Sequence, residues 1–272
     1  MNSWTKIVAS FFLFLSLQSQ ACDFKPQVKK VFSLSGPVTS AFKELGLFKN
    51  PRLSGISIFY PARDEDFSGK IVPGGIFISP ELKKEFNHSL VFFDESRELS
   101  KLFSTGDQIT AREMKTRNLL PSEVTALVLR EISPYLQGCE KGLSAYLDLS
   151  QQLEKEILAQ IKKPLTVVIY VGEFVQGRAP EMVMANDGVV KWLRSQKKII
   201  SYPSELGYVN WSAKIINAMP ANTYQVALKD SGRNTGPSFK KNSERQLSVS
   251  YPGGLIPGID QMKAWIYWLK KI

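Results

Sequence analysis

A helical pattern at residues 141–163 constrains the fold of this chain more than any other feature. Its apolar positions recur at near-helical spacing and are Leu143, Leu147, Leu153, Ile157 and Ile161. A proline, Pro164, ends the pattern. As a helix these residues would be about 35 Å long, which is roughly the width of a small domain. Such a helix divides the chain into residues 22–140 and residues 164–272, each of ordinary domain size.

Segments typical of strands and of helices alternate on both sides of this long helix. Alternation of this kind predicts parallel sheets whose faces are covered by helices. The predicted fold class is therefore α/β, with two lobes, each built on a central, mostly parallel sheet flanked by helices, joined by one long helix. The predicted strands are residues 31–34, 54–59, 90–93, 165–171, 224–228 and 247–250.

Prolines and glycines mark the ends of the shorter predicted helices. Pro37 suits a first helical turn, where its missing N–H is not needed, and Gly46 suits the position just past the end. Pro121 opens another helix in the same way. Further helices are predicted around Leu99 and Leu102, at 187–195 and at 259–270. Residues 231–242, rich in Gly, Ser, Asn and Lys, are predicted to form a mobile loop.

The first 21 residues are typical of a secretory signal peptide. Lys6 supplies the positive charge, residues 7–17 form the apolar run, and Ser19 and Ala21 are the small residues before a cleavage site. That run is shorter than the roughly 20 residues of a membrane span, and no later segment qualifies. We therefore expect a mature protein in the periplasm or otherwise outside the cytoplasm, without a membrane span.

The two cysteines, Cys22 and Cys139, have three possible fates in that compartment. They can form a disulfide, which an oxidising compartment permits. Alternatively, Cys22 directly follows the expected cleavage site, where a lipoprotein carries its acylated cysteine. Ser19, however, stands where a lipoprotein signal usually has leucine. The third alternative is two free thiols.

The basic charge of the chain does not indicate nucleic-acid binding. The formal net charge is +10, and removal of residues 1–21 takes away only Lys6. The lysines are scattered, with short pairs such as Lys29 and Lys30, and no recognisable nucleic-acid motif is present. We interpret the charge mostly as a solvated surface.

Catalytic and metal-binding patterns find little support in this sequence. The chain has one histidine, His88, in a polar turn, whereas a bare transition-metal site of this kind needs several histidine and carboxylate ligands. No nucleophile-elbow sequence is present, and the Gly74–Gly75 and Gly253–Gly254 pairs lack the phosphate-binding fingerprint. We therefore predict no catalytic residue, no metal and no cofactor. A secreted hydrolase would have to depend on His88.

Four segments in order resemble one known family. They are residues 31–47 (VFSLSGPVTSAFKELGL), residues 54–58 (SGISI), Gly74-Gly75 followed by Pro80-Glu81-Leu82 and the strand from Ser89, and residues 250–262 (SYPGGLIPGIDQM). Together they resemble the class III periplasmic solute-binding proteins, which bind cobalamin, haem or ferric siderophores for ABC importers. The resemblance implies a monomer that captures a bulky metal-chelate small molecule, of the iron-siderophore, haem or corrinoid type, for such an importer.

The resemblance also bears on the permease partner. In the transporter members, a carboxylate on each lobe docks onto permease arginines, and Glu81 stands at the first of these positions. Its counterpart falls at or near Lys214, which has the opposite charge. The alternative function is therefore a stand-alone periplasmic ligand sensor or scaffold without a permease. Glu81 also fits a plain first-turn carboxylate that the helix dipole stabilises.

Candidate ligand-binding residues follow the predicted strands, because ligands of open α/β sheets bind beyond the carboxyl ends of the strands. Aromatic rings give contact area, and arginine binds carboxylates or phosphates through two hydrogen bonds. Alanine in place of Tyr60 or Phe174 is expected to weaken ligand binding and to leave the fold intact. Trp265 and Trp268 are predicted to pack in the core instead. The candidates are Tyr60, Arg63, Phe77, Phe174, Arg178, Tyr208, Trp211 and Tyr251.

Overall fold

The computed structural model confirms the predicted α/β fold class. It contains parallel sheets flanked by helices in both halves of the chain. The structure describes residues 22–57, 60–61, 64–71, 78, 80–104, 109–116, 119–174, 182–184, 188–201, 208–210, 219–231 and 236–272. The predicted signal peptide, residues 1–21, lies outside them.

The first half of the chain forms a four-stranded sheet in which every pairing is parallel. Its strands are, in spatial order, β3 (Leu53–Ile56), β2 (Lys30–Leu34), β4 (Ser89–Asp94) and β5 (Thr110–Met114). The buried positions of the strands are mostly apolar: β4 reads Ser-Leu-Val-Phe-Phe-Asp, with its first five residues buried. The elements of this half are β1 (Asp23–Phe24), β2 (Lys30–Leu34), α1 (Gly36–Glu44), β3 (Leu53–Ile56), α2 (Pro80–Glu85), β4 (Ser89–Asp94), α3 (Arg97–Ser104), β5 (Thr110–Met114), α4 (Pro121–Ile132) and β6 (Leu136–Gln137).

Helix α1 begins and ends where the sequence predicts. Pro37 lies in its first turn. Gly46 has φ of 74°, a left-handed conformation that glycine adopts without steric cost. The buried side of α1 includes Val38, Ala41 and Phe42, and Phe42 makes an edge contact with Phe92 of β4. Helix α1 is therefore fixed on the sheet directly after the carboxyl end of β2.

The long helix α5 (Glu140–Gln160) follows. It begins one residue before the predicted stretch and ends three residues earlier, since Ile161 already leaves the helical conformation ahead of Pro164. With 21 residues, α5 is about 32 Å long. None of the helices in the described part of the chain has the length and apolar character needed to cross a membrane.

The second half of the chain forms a seven-stranded mixed sheet. Its strands are, in spatial order, β10 (Tyr208–Asn210), β8 (Met182–Met184), β7 (Leu165–Val171), β11 (Tyr224–Asp230), β13 (Gln246–Tyr251) and β12 (Ser238–Lys241). Strand β9 (Ile199–Ser201) also pairs with β7. The central pairings, β7 with β11 and β11 with β13, are parallel, whereas β8, β10 and β12 pair antiparallel. The elements are β7 (Leu165–Val171), β8 (Met182–Met184), α6 (Gly188–Ser195), β9 (Ile199–Ser201), β10 (Tyr208–Asn210), β11 (Tyr224–Asp230), β12 (Ser238–Lys241), β13 (Gln246–Tyr251) and α7 (Ile259–Leu269).

One continuous apolar core connects the two halves. Helix α7 packs along α5 and also contacts α1 and α4, so the last helix of the chain touches elements of both halves. Trp265 and Trp268 of α7 are fully buried, which confirms that they are packing residues. The helices α4, α5 and α7 thus contribute to the core that connects the two halves.

A disulfide joins Cys22 to Cys139, one of the three alternatives that the sequence leaves open. Cys139 directly precedes α5, so the bond ties residue 22 to the start of the long helix. The short strands β1 and β6 pair antiparallel beside it. A sulfur in this bond is not available for acylation, so the structure does not support a lipid anchor on Cys22.

One predicted loop is wrong. Ser238–Lys241, within the segment predicted to be mobile, is strand β12, and it pairs antiparallel with β13 from Ser238↔Ser250 to Lys241↔Leu247. The polar composition that suggested a loop is that of an edge strand, whose side chains contact solvent. Residues 232–235 of the same segment lie outside the described residues.

Candidate functional site

An open cavity of about 500 Å³ lies at the carboxyl ends of strands of the second sheet. It is lined by the residues that end β7, β11 and β13 and by the antiparallel strand β12. We call it the large cavity. Its lining residues are Gly172, Glu173, Phe174, Lys229, Gly236, Ser238, Lys240, Ser248, Val249 and Ser250.

The large cavity combines an aromatic wall with charged groups. The ring of Phe174 makes an edge contact with Tyr170, at 5.6 Å between ring centroids, and packs on the apolar cluster around Val168. The Nζ atom of Lys229 lies 2.6 Å from Oε2 of Glu173. Lys240 is exposed on β12. The cavity is therefore able to contact both an apolar surface and a charged group.

A smaller cavity of about 170 Å³ lies between the two halves. We call it the junction cavity. Pro237 lines it, while the neighbouring residues Gly236 and Ser238 line the large cavity, so the two cavities share this loop. The lining residues come from α1, from the segment after β3, and from the second half of the chain: Lys43, Glu44, Tyr60, Pro61, Pro237, Tyr251, Pro252, Asp260 and Lys263.

Tyr60 is buried at the junction cavity, with only 4% of its surface exposed. Its ring makes an edge contact with Phe48, and the ammonium of Lys43 lies over both rings at 5.9 Å. Burial raises the pKa of the Tyr60 hydroxyl, and the nearby carboxylate of Asp260 raises it further. Tyr60 is thus a packing residue of the junction as well as part of a cavity wall.

Asp260 is a buried carboxylate in the wall of the junction cavity. Burial raises the pKa of its carboxyl to about 6, and the nearby Ser40 hydroxyl and Lys263 ammonium moderate the rise. Within the described part of the chain, neither Oδ2 of Asp260 nor Oγ of Ser40 has a hydrogen-bond partner of good geometry. Lys263 itself pairs with Glu44, at 2.6 Å. A buried carboxylate without full hydrogen bonding is costly to ionise, which explains the direction of the shift.

A strand-end aspartate fixes a neighbouring loop in each sheet. At the end of β4, Asp94 accepts hydrogen bonds from the Ser35 hydroxyl (2.6 Å) and the Gly36 backbone N–H (3.2 Å). At the end of β11, Asp230 accepts one from the Leu255 backbone N–H (2.9 Å). Burial raises the pKa of both carboxyls, and these hydrogen bonds oppose the rise. The carboxyl edges of both sheets are therefore held by internal contacts.

Comparison with known proteins identifies the fold. No family model and no curated protein sequence matches the chain. Among solved structures, similarity extends to a periplasmic binding protein of Veillonella parvula (TM-score 0.61, 12% identity, covering 90% of this chain and 91% of that one). The periplasmic haem-binding protein HutB of Vibrio cholerae has a TM-score of 0.60 at 12% identity, with 90% and 98% covered. The chain has the fold of class III periplasmic solute-binding proteins.

A third solved structure with this fold is the periplasmic vitamin B12-binding protein BtuF of Vibrio cholerae. It has a TM-score of 0.58 at 15% identity, covering 90% of this chain and 99% of that one. Identities this low concern the fold alone. The structural similarity confirms the resemblance to class III periplasmic solute-binding proteins that the sequence motifs predict.

Three of the predicted ligand-binding residues line one or the other of the two cavities. Phe174 lines the large cavity, whereas Tyr60 and Tyr251 line the junction cavity. Tyr208 belongs to β10, which pairs with β8. Arg63, Phe77, Arg178 and Trp211 lie outside the described residues.

The resemblance predicts a permease-docking carboxylate at Glu81 and its counterpart at or near Lys214. Glu81 lies in α2, directly after Pro80 at its amino end. Lys214 lies outside the described residues. His88 lies in the turn before β4 with φ of 54°. The described residues contain no cluster of three or more His, Cys, Asp or Glu side chains that could hold a metal ion.

Sequence reasoning missed the charged and polar residues of both cavities. Glu173 directly precedes the predicted Phe174, and a search for charges after strand ends would have included it. Lys240 lies in the segment, residues 231–242, that is predicted to form a mobile loop. Asp260 reads in the sequence as an ordinary first-turn helix carboxylate, and nothing local indicates that residues of α1 bury it.

Proposed function

We propose that the protein is an extracytoplasmic solute-binding protein. It captures a bulky metal-chelate ligand, of the ferric siderophore, haem or corrinoid type, and delivers it to an ABC importer. The observation that carries the proposal is the large cavity at the carboxyl ends of β7, β11 and β13. Solved structures with this fold include a haem-binding and a vitamin B12-binding protein, which supports binding rather than catalysis.

The size and the lining of the large cavity support a small-molecule ligand. Ligand sites in proteins commonly have volumes of about 300–1,000 Å³ and combine apolar walls with a few polar groups. The large cavity has about 500 Å³ and joins the Phe174 ring to hydroxyl and ammonium groups. Its position also agrees with the general rule that ligands of open α/β sheets bind at the carboxyl ends of the strands.

Export by residues 1–21 forms part of this proposal. The disulfide between Cys22 and Cys139 supports it, because such bonds persist in oxidising compartments outside the cytoplasm. The three solved structures reported above are named as periplasmic proteins. We therefore place the mature chain in the periplasm, held by no lipid on Cys22.

One sequence feature favours a second candidate function. Lys214 stands at or near the position where a transporter member would have its second docking carboxylate, and a lysine there would repel a permease arginine. The second candidate is a stand-alone ligand sensor or scaffold with the same fold. A permease gene and an ATPase gene beside the gene of this protein would favour transport, and their absence would favour the sensor.

Titration of the mature chain tests the shared part of both candidates. Tryptophan fluorescence is followed while haemin, a ferric tris-catecholate and cyanocobalamin are added one at a time. We expect at least one of them to bind with a Kd of about 1 μM or lower, as is usual for specific capture of a small molecule. Binding of none of the three at about 100 μM would contradict the proposal.

A further inference from the structure

On β12, on β13 and at the end of β11, the face of the second sheet that lines the large cavity is polar. In register, Lys229 of β11 pairs with Ser250 of β13, and Ser250 pairs with Ser238 of β12. Two residues earlier on β13, Ser248 pairs with Lys240 of β12. Side chains of directly paired residues, and of residues two apart on one strand, lie on the same face. These five residues therefore form one surface, which we call the lysine–serine face.

The opposite face of the same strand is ordinary core. Leu247 and Val249 of β13 are buried, and they alternate with Ser248 and Ser250, which are half-buried. The lysine–serine face is polar at the point where the large cavity lies, so its composition suits contact with a polar group in the cavity.

Positive charge exceeds negative charge on this surface. Lys229 and Lys240 line the large cavity together with one carboxylate, Glu173. The Lys229–Glu173 pair is accessible to solvent, with 38% and 55% of the two side chains exposed. Exposed ion pairs of this kind contribute little to stability. An incoming anionic group can therefore replace Glu173 at Lys229 at small cost.

Hydrogen-bond donors accompany the two ammonium groups. Nδ2 of Asn242 donates to Oγ of Ser248 at 2.7 Å, which leaves the hydroxyl hydrogen of Ser248 for another acceptor. Serine hydroxyls lie between the two lysines in the register of the strands. Ammonium and hydroxyl donors on one surface are the groups that bind carboxylate, phosphate or catecholate oxygens.

The first sheet offers no matching donors at α1. Asp94 already accepts the hydrogen bonds of the Ser35 hydroxyl and the Gly36 N–H at the amino end of that helix. An amino end of a helix is otherwise a favourable place for an anion. Because an internal carboxylate occupies it, the amino end of α1 is not free to bind an anionic group of the ligand.

We propose that the ligand is an anion with an apolar body, bound with its anionic groups on Lys229 and Lys240 and its apolar part on Phe174. The lysine–serine face then determines both the charge and the orientation of the ligand. This inference rests on the proposed function and narrows it, since it favours anionic chelates such as haem or a ferric tris-catecholate over an uncharged corrinoid.

The test compares charge-removing and charge-keeping variants in the same titrations. For the anionic probe that binds, haemin or the ferric tris-catecholate, we expect the double variant K229M/K240M to raise the Kd at least about tenfold. The K229R/K240R variant should stay within about threefold of wild type, and E173Q should lower the Kd, because it removes the competing carboxylate. Lys162→Met is the matched control, since Lys162 is exposed near the amino end of β7, away from the cavity.

Salt dependence supplies a second measurement. Between about 20 mM and about 500 mM NaCl, the affinity of wild type for the anionic probe should fall, and that of K229M/K240M should change much less. Thermal unfolding of each variant checks that the fold is retained.

The outcomes separate the two proposals. If haemin or the ferric tris-catecholate binds and K229M/K240M leaves its Kd within about twofold, the lysine–serine face is not the anion site and the proposed function stands. If cyanocobalamin alone binds tightly, the ligand is not an anion, so this inference fails while the proposed function stands. If none of the three probes binds, the proposed function fails and this inference fails with it.

Discussion

The two cavities at the carboxyl ends of the strands differ in what surrounds their aromatic residues. At the junction cavity, Tyr60 is buried between α1 and α7 and lies close to the ionisable group of Asp260. At the large cavity, Phe174 is half-buried, and its neighbours are solvent-accessible charges such as Lys229. Both aromatic residues follow a strand, so the same rule predicts both. The comparison indicates that the position after a strand does not by itself distinguish packing from ligand contact.

The largest expected effect concerns Tyr60. Because its ring is buried against Phe48 and under the Lys43 ammonium, Tyr60→Ala should lower the free energy of unfolding by about 3–5 kcal/mol. This changes the expectation from sequence, in which the fold stays intact. Chemical denaturation measures the effect, and Tyr60→Phe is the matched control, with an expected loss of about 1 kcal/mol.

A small effect of Tyr60→Ala would remove the contrast between the cavities. If the alanine variant lost less than about 1 kcal/mol of unfolding free energy, Tyr60 would not be a packing residue of the junction. Tyr60 would then be a candidate for ligand contact, as the sequence predicts.

The second expected effect concerns the pH dependence that Asp260 contributes. Its pKa in the folded protein is about 6, above the ordinary value of 3.8. The folded state therefore holds the proton more strongly than the unfolded state, so this contribution to stability is complete below about pH 4 and is lost as pH rises through about 6. A shift of this size corresponds to at most about 3 kcal/mol.

Asp260→Asn tests this linkage, because asparagine does not ionise. We expect the variant to be more stable than wild type at pH 7.5, and the difference between the two to shrink or reverse near pH 4.5. Thermal unfolding of both proteins across that range gives the measurement. Asp94 and Asp230 also have raised pKa values, but they are common to both proteins and cancel in the difference. A constant difference at all pH values would show that Asp260 does not titrate as described.

Much of the architecture follows from local sequence patterns. The helix bounded by Pro37 and Gly46, the apolar run Leu165–Val171 and the long helix α5 each have strong periodicity and clear terminal residues. Their positions therefore match the prediction to within a few residues. In such segments the local pattern and the tertiary environment favour the same conformation, which is why a single sequence suffices.

The edge strands were missed for a physical reason. The strand β5 reads Thr-Ala-Arg-Glu-Met, and only Met114 is buried, whereas β12 reads Ser-Phe-Lys-Lys without a buried residue. Neither contains an apolar run, and each exists because it pairs with a neighbour, β4 or β13. Such strands are stabilised by tertiary hydrogen bonds, so a pattern of hydrophobicity does not detect them.

The candidate site could be predicted only in part, for a related reason. The rule of strand ends located Phe174, Tyr60 and Tyr251, but burial of Tyr60 depends on residues brought in by α1 and α7. Lys240 joins Lys229 in one surface through the register of β12, β13 and β11. Such juxtapositions arise from pairing across the sheet and leave no trace in the spacing of residues along the chain.

The smallest expected effect on stability concerns Phe174, at the large cavity. Phe174 is half-buried and packs mainly on Tyr170, so Phe174→Ala should cost about 1 kcal/mol of unfolding free energy, much less than Tyr60→Ala. Its effect on binding should be larger, with the Kd for the probe that binds rising about tenfold, because the ring supplies the apolar wall of the cavity. Phe174→Leu, which keeps apolar area without a flat ring, should fall between alanine and wild type. Fluorescence titration and denaturation of the same samples measure both quantities. An unchanged Kd combined with a large loss of stability would reverse the assignment, since Phe174 would then be the packing residue of the pair.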